Sequence, residues 1–304
     1  MRKHTIYCLL YPIMMMLLVM NLGCGTTRSL YKKIKPDEPY LIKKIMVFPP
    51  IDLSGLPTGK AAQTSEDFVE ILKQSPQLSI YTPPQGWSLP AELKAPKFGV
   101  AYFDPKIAEM ARNKNMNALL AAFCPPIKKS SSRAGIWPFR YDAEVYKISI
   151  IINALNVANG CLYLTDLSSN DVYFKSDEVS GMSEKEIFEK VWEKGMPDIL
   201  EQQASVVIQR LIAAPWTGRI LDNRKDLLMI NAGKDAGVQP DQVFNVFSEG
   251  KSIVCRTGRE VDLTGEKIGK IKTVSVMEEH TLATPESGGP FSVGQTIRFK
   301  PKPE

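Results

Sequence analysis

Histidine is nearly missing. The chain of 304 residues has two, His4 and His280, and its five cysteines include no Cys-x-x-Cys pair. Zinc and related imidazole–thiolate sites are thereby excluded. There is no Gly-x-Ser-x-Gly elbow, and a Ser-His-Asp triad would have to use His280, which follows Glu278 and Glu279 on an expected strand. Gly233-Lys234-Asp235-Ala236-Gly237 lacks the full phosphate-loop string and reads as a turn between strands. Asp235 and Asp241 do not follow a calcium-loop pattern, and Asp166 and Asp171 flank a serine-rich stretch as solvated acids do. Net charge is only +5, falling to about +3 without Arg2 and Lys3, which is too weak to argue for nucleic acid. Low-complexity bias is absent too, with 44% hydrophobic and 23% charged residues. The expectation is a folded protein that is not an enzyme, with no cofactor, no metal, no nucleic acid and no small-molecule substrate.

What is present starts at the N-terminus. Arg2, Lys3 and His4 precede an uncharged apolar run that continues to Gly23-Cys24-Gly25, with Pro12 inside it. A basic start, a short apolar stretch and a small residue before a cut site form an export signal. The segment resembles a bacterial lipoprotein leader, in which the thiol of the first mature residue is acylated. That resemblance implies a signal peptide over 1–23 and lipidation (palmitate) at Cys24. The family prefers an aliphatic residue where Asn21 stands, so an uncleaved membrane anchor stays open. Gly25 in place of Asp points to the outer membrane and a periplasm-facing body. Residues 24–40, polar with Lys32, Lys33 and Lys35, read as a tether.

Residues 41–213 read as an α/β region. KKIMVFPPI (43–51) and QLSIYTP (77–83) are expected strands, SEDFVEILKQS a helix capped by Ser65, and residues 104–117 a helix with Asp104 as cap and Pro105 in first position. ALLAAFC (118–124) has the unbroken apolarity of a strand covered on both faces. Residues 128–139 read as an exposed hairpin tip or loop ending in Trp137, Pro138 and Phe139. These three are the candidate contact for a partner or membrane, against the alternative that they fold back onto the domain. Residues 143–167 form a hairpin turning at Asn159-Gly160. Ser183 and Glu186 have capping-box spacing, and an apolar stripe follows to Leu211, with Gly195 and Pro197 expected to break or kink the helix. Helices are expected on one side of the sheet. A Cys124–Cys161 disulfide and two buried thiols are both open.

Residues 214–304 change character. Short alternating strands and closely spaced glycines, among them Gly233, Gly237, Gly250, Gly265 and Gly294, read as a small all-β barrel with those glycines at positive φ. The overall class is α+β.

Two further resemblances follow from particular blocks. Trp-x-Gly-x-Ile at 216–220, LMINAG at 228–233, AGVQPDQVF at 236–244, KIGKI at 267–271 and VGQ at 293–295 are similar to the C-terminal domain of flagellar assembly protein T. The strand IMVFP (45–49), the helix IAEMAR (107–112) leading into ALLAAF (118–123), and the hairpin resemble the anticodon-binding-like modules of envelope proteins such as the TolB N-terminal domain and the curli secretion lipoprotein. The resemblances imply a lipid-anchored, non-enzymatic scaffold or assembly factor of an envelope structure, flagellar-ring-like, with envelope protein partners and an oligomeric ring. A regulator of a periplasmic cell-wall enzyme and a secretion-system component are the alternatives.

Overall fold

The computed structural model describes residues 40–56, 60–85, 87, 105–224, 227–255 and 260–299. Cys24, the leader, the tether and Asp104 lie outside the described residues. In chain order the elements are β1 (Lys43–Val47), β2 (Ile51–Asp52), α1 (Lys60–Lys73), β3 (Leu78–Tyr81), α2 (Pro105–Asn113), β4 (Ala118–Cys124), β5 (Lys128–Ala134), β6 (Tyr141–Asn156), β7 (Leu162–Lys175), α3 (Ser176–Val179) and α4 (Glu184–Ala213). Then follow β8 (Trp216–Arg224), β9 (Leu227–Ile230), β10 (Val243–Val254), β11 (Glu260–Val276), β12 (Thr281–Gly288) and β13 (Thr296–Phe299).

β1 to β7 form one mixed sheet. β1 pairs in parallel with β3 and β4, and β4 pairs antiparallel with β6. β6 is the organiser. β7 pairs with it from Ala143 to Leu155, while β5 takes residues 141–147 and β4 takes residues 151–156. The hairpin closes at Gly160, whose φ of 71° favours glycine.

Alternation on β1 and β4 sends Ile45, Val47, Ala118 and Leu120 to one face, where α1 and α4 cover them with Phe68, Leu72, Val207 and Leu211. Met46, Phe48, Leu119, Ala121 and Phe123 go to the other face, where Ile107 and Ala111 of α2 meet them. The helices therefore do not lie on one side only. The unbroken apolarity of β4 is the reason, because a strand apolar on both faces needs a cover on each.

Three further expectations are corrected. α1 begins at Lys60, so Ser65 is inside it rather than at its cap. The Lys-Ala-Ala-Gln start favours helix, and Thr64 fixes the turn by donating to the Lys60 carbonyl and accepting from Trp192 Nε1. α4 is one continuous 30-residue helix with Ser183 and Glu186 forming its capping box. Pro197 is on its exposed side, where the carbonyl left without a donor can bond water. Gly195 is instead a contact residue: a Cβ there would sit 2.7 Å from Ile148 Cγ2 and 2.9 Å from Val172 Cγ2, so its absence lets the helix touch the sheet. Finally, KKSSSRA (128–134) is strand, not loop. Its serine-rich pattern carries no apolar alternation, and only its pairing to β6 makes it one.

β8 to β13 are antiparallel and their pairings close on themselves in the order β10-β11-β12-β9-β8-β13. Trp216, Ile220, Ile230, Phe244, Val246, Ile271, Ile297 and Phe299 fill the interior. Of the five glycines singled out in the sequence, Gly237 and Gly294 have positive φ. Gly233 and Gly250 answer a different need, since a Cβ would lie 2.3 Å from the Glu278 carbonyl and 1.8 Å from the Leu263 carbonyl; Gly265 is crowded likewise by Ser248. His280 falls in the turn before β12, not on a strand.

Sheet and barrel belong to one compact unit, Leu41–Lys300. Buried Asn117 joins them: its Oδ1 accepts from Lys44 N at 2.8 Å and its Nδ2 donates to the Thr217 carbonyl at 2.9 Å. Lys44 forms an ion pair with Asp235, which gives the aspartate of the Gly233–Gly237 turn a structural role. Lys43 is buried with its ammonium donating to the Leu211 and Ala214 carbonyls, so it caps the C-terminus of α4. Burial pulls its pKa down to about 8, and at neutral pH it stays mostly charged.

Candidate functional site

The β5–β6 hairpin ends in the loop Gly135–Arg140. Gly135 starts it at φ 94°, and a Cβ there would fall 2.5 Å from the Phe139 carbonyl. The turn is closed by Phe139 N donating to the Ile136 carbonyl at 2.7 Å. The result is an ordered tip whose large side chains point away from the protein: Ile136 is 84%, Trp137 78% and Phe139 82% exposed, and Pro138 is exposed with them. The tip does not fold back. Ile136, which the sequence reading passed over, belongs to the same patch.

Below the tip the arm is polar and basic. Residues 128–147 carry five basic side chains and two acidic ones. Lys129 pairs with Glu144 at 2.5 Å, Arg133 with Asp142 at 3.3 Å and Lys147 with Asp171 at 3.8 Å. Tyr146 donates to Glu144 at 2.7 Å, and the Lys129 and Tyr146 hydrogen bonds hold the Glu144 carboxyl below its ordinary range. Lys175 sits 5.6 Å from the Tyr141 ring centre. Lys128 and Arg140 are exposed. Hydrophobic side chains that face solvent singly are normal, but three within four residues at the end of a paired arm form an exposed apolar patch.

Cys124 and Cys255 are free thiols, and burial with the nearby Asp52 charge pushes the Cys124 thiol up to about 12. Asp166 accepts from Gln203 Nε2 at 2.8 Å. Among the described residues no cluster could hold a metal ion, and no helix is long and apolar enough to cross a membrane. The fold also gathers Arg112, Arg219 and Arg298 around a polar cleft between sheet and barrel. The sequence hinted only that Arg219 and Arg298, each set between core positions, point outward from the barrel; topology brings the three together.

No protein-family model matches the chain, and no curated protein does. Among solved structures it is similar to the hypothetical protein CT253 from Chlamydia trachomatis, with 10% identity over 56% of this chain and 95% of that one and a TM-score of 0.35. It is also similar to the PelC dodecamer from Paraburkholderia phytofirmans, with 13% identity over 59% of this chain and 96% of that one and a TM-score of 0.31. Lipoprotein GNA1162 from Neisseria meningitidis gives 13% identity, 57% and 99% coverage and a TM-score of 0.27. Bacterial lipoproteins are thus among the similar structures, at scores that carry no argument about this chain's role.

Proposed function

We propose that the chain is a lipid-anchored, non-enzymatic scaffold of the bacterial envelope, held by an acyl group on Cys24, that grips an envelope protein with the tip of its β5–β6 arm. The observation that carries the reading is the uncovered Ile136, Trp137 and Phe139 on an ordered arm. Trp, Phe and a flanking Arg140 have the composition of a protein-interface anchor. Three of the arm's basic side chains already have acidic partners, which weakens its pull on an anionic bilayer and favours a protein. The resemblance of the barrel blocks to flagellar assembly protein T makes a ring-like envelope structure the class of partner, with the outer membrane as the anchoring site.

Two measurements test this. Labelled fatty acid should enter the native protein and not Cys24→Ala, with membrane retention lost in the variant; label that survives the substitution defeats the anchor. A photo-crosslinker at Phe139 should capture one defined envelope protein. Cross-links to lipid alone, or the same products after Ile136→Ser and Trp137→Ser are added, would remove the arm from the contact.

A further inference from the structure

A cleft of about 280 Å³ lies between the turn at residues 156–159, α2 and the outer wall of the barrel. Its most telling occupants are Arg219 on β8 and Arg298 on β13. These strands pair with Arg219 opposite Thr296 and Arg298 opposite Thr217. Alternation sends Ile220, Ile297 and Phe299 into the barrel core and both arginines outward on the same face. They are diagonal neighbours, about 7–8 Å apart at the backbone, well within reach of one another's long side chains. Arg112 approaches from α2 as the third guanidinium lining the cleft.

This is an expensive arrangement for charges of one sign. Burial lowers the pKa of Arg219 and the Arg112 charge lowers it further, with Asp262 and Glu249 offsetting only part of that; burial also lowers that of Arg298. An arginine nevertheless stays charged at any ordinary pH. Among the described residues, neither Arg219 nor Arg298 has a carboxylate within salt-bridge distance. Arg219 donates one bond, from Nη2 to the Ala158 carbonyl at 3.1 Å. Arg298 donates from Nη2 to the Thr264 hydroxyl and lies 4.8 Å from the Phe247 ring centre. Its Nε is buried and has no hydrogen-bond partner. The Tyr163 hydroxyl, which feels the Arg298 charge, is buried without a partner as well, so the demand for an acceptor in the cleft comes from the two guanidinium forks rather than from this nitrogen.

The acids nearby do not fill that place. Asp262 accepts from the Ser252 hydroxyl and stands 3.9 Å from Arg112, while Glu249 is exposed at the rim. The remaining lining is rich in hydroxyls, with Thr217, Thr264, Thr296 and Ser248 among them. An oxyanion answers the guanidinium forks, and hydroxyl-rich walls suit a polyol body. The size is that of a small-molecule site at its lower end.

We infer that this cleft binds an anionic sugar, its phosphate or carboxylate held between Arg219 and Arg298 with Arg112 alongside. The proposal departs from the expectation of no small-molecule substrate, and it is independent of the arm and of Cys24.

Calorimetric titration of the full-length protein in detergent tests it, with glucose 6-phosphate, glucuronate, inorganic phosphate and glucose as probes. Glucose 6-phosphate or glucuronate should bind, glucose should not, and inorganic phosphate should bind more weakly than its sugar ester. The stronger of the two sugar anions identifies the charged group as phosphate or carboxylate. Arg298→Gln and Arg219→Gln should each weaken binding by about tenfold or more, as the loss of one charge-assisted contact predicts. Arg298→Lys should fall between, keeping the charge and losing the fork. Unchanged thermal melting in the variants separates lost binding from lost fold. Glucose binding as tightly as the sugar anions, wild-type affinity retained in both Gln variants, or no heat with any anion at millimolar concentration would each overturn the assignment.

Discussion

The two ends of the long β6–β7 pair are built differently. At the barrel end, residues 151–156 of β6 lie between β4 and β7, Asn153 and Asn156 are buried, and the turn at Asn159 accepts from Asp262 N of the barrel. At the far end, residues 141–147 meet the serine-rich β5, and the side chains there are joined by surface ion pairs. The barrel end is buried on both faces, whereas the far end keeps Ala143, Val145 and Tyr146 in the core and leaves β5 and the tip exposed. Stability should therefore fall along one strand pair from the barrel to the tip. A region that must be uncovered in the free protein cannot also contribute much to its core.

That gradient can be broken or sharpened by four substitutions, each read by equilibrium urea unfolding. The largest effect belongs to Asn117→Ala, which strips buried partners from Lys44 N and the Thr217 carbonyl at once. With about 1–3 kcal/mol for each buried group left unpaired, a loss of roughly 3 kcal/mol is expected. Next is Gly195→Val at the middle of the pair, where the added carbons collide with Ile148 and Val172. Overpacking of this kind costs about 1–3 kcal/mol. Lys43→Met removes the donor to the last carbonyls of α4 and should cost about 1–2 kcal/mol.

The lysine also has a pH signature. Its native pKa is about 8 against an ordinary 10.5, so between those values the unfolded chain holds a proton that the folded one has released. Stability from this group then rises with pH across that window, and the gap between wild type and Lys43→Met should widen from pH 8 to 10.5. The smallest effect is at the arm: Arg133→Ala breaks an exposed pair and should change stability by no more than about 0.5 kcal/mol. An arm substitution that unfolds the protein as readily as Asn117→Ala would erase the distinction between the two ends.

The same gradient governs what could be read from sequence. Residues with strong local chemistry declared themselves: the Ser183–Glu186 capping box, the Asn159-Gly160 turn, the apolar run of β4 and the exposed aromatic tip all stand where their patterns place them. Features set by partners distant in the chain did not. Gly195 and Pro197 look like helix breakers until the sheet beneath Gly195 and the solvent beside Pro197 are known. Lys128–Ala134 has no strand pattern of its own. The exposure of Trp137 and Phe139 was legible because the signal, apolar residues after a polar run, is local. Arg112, Arg219 and Arg298 were not, because their convergence exists only once the barrel closes and docks.

The entry point of β1 carries a mechanical consequence. Leu41 is seated in the barrel core, Ile42 donates to the Ala236 carbonyl and accepts from Trp216 Nε1, and β1 then runs between β3 and β4 with parallel pairing on both sides. A tug arriving along the backbone ahead of Leu41 is met by both halves together. To yield, β1 must slide past two neighbours with all of its rungs loaded in shear, so the grip at this junction resists pulling far better than a strand peeled from an edge.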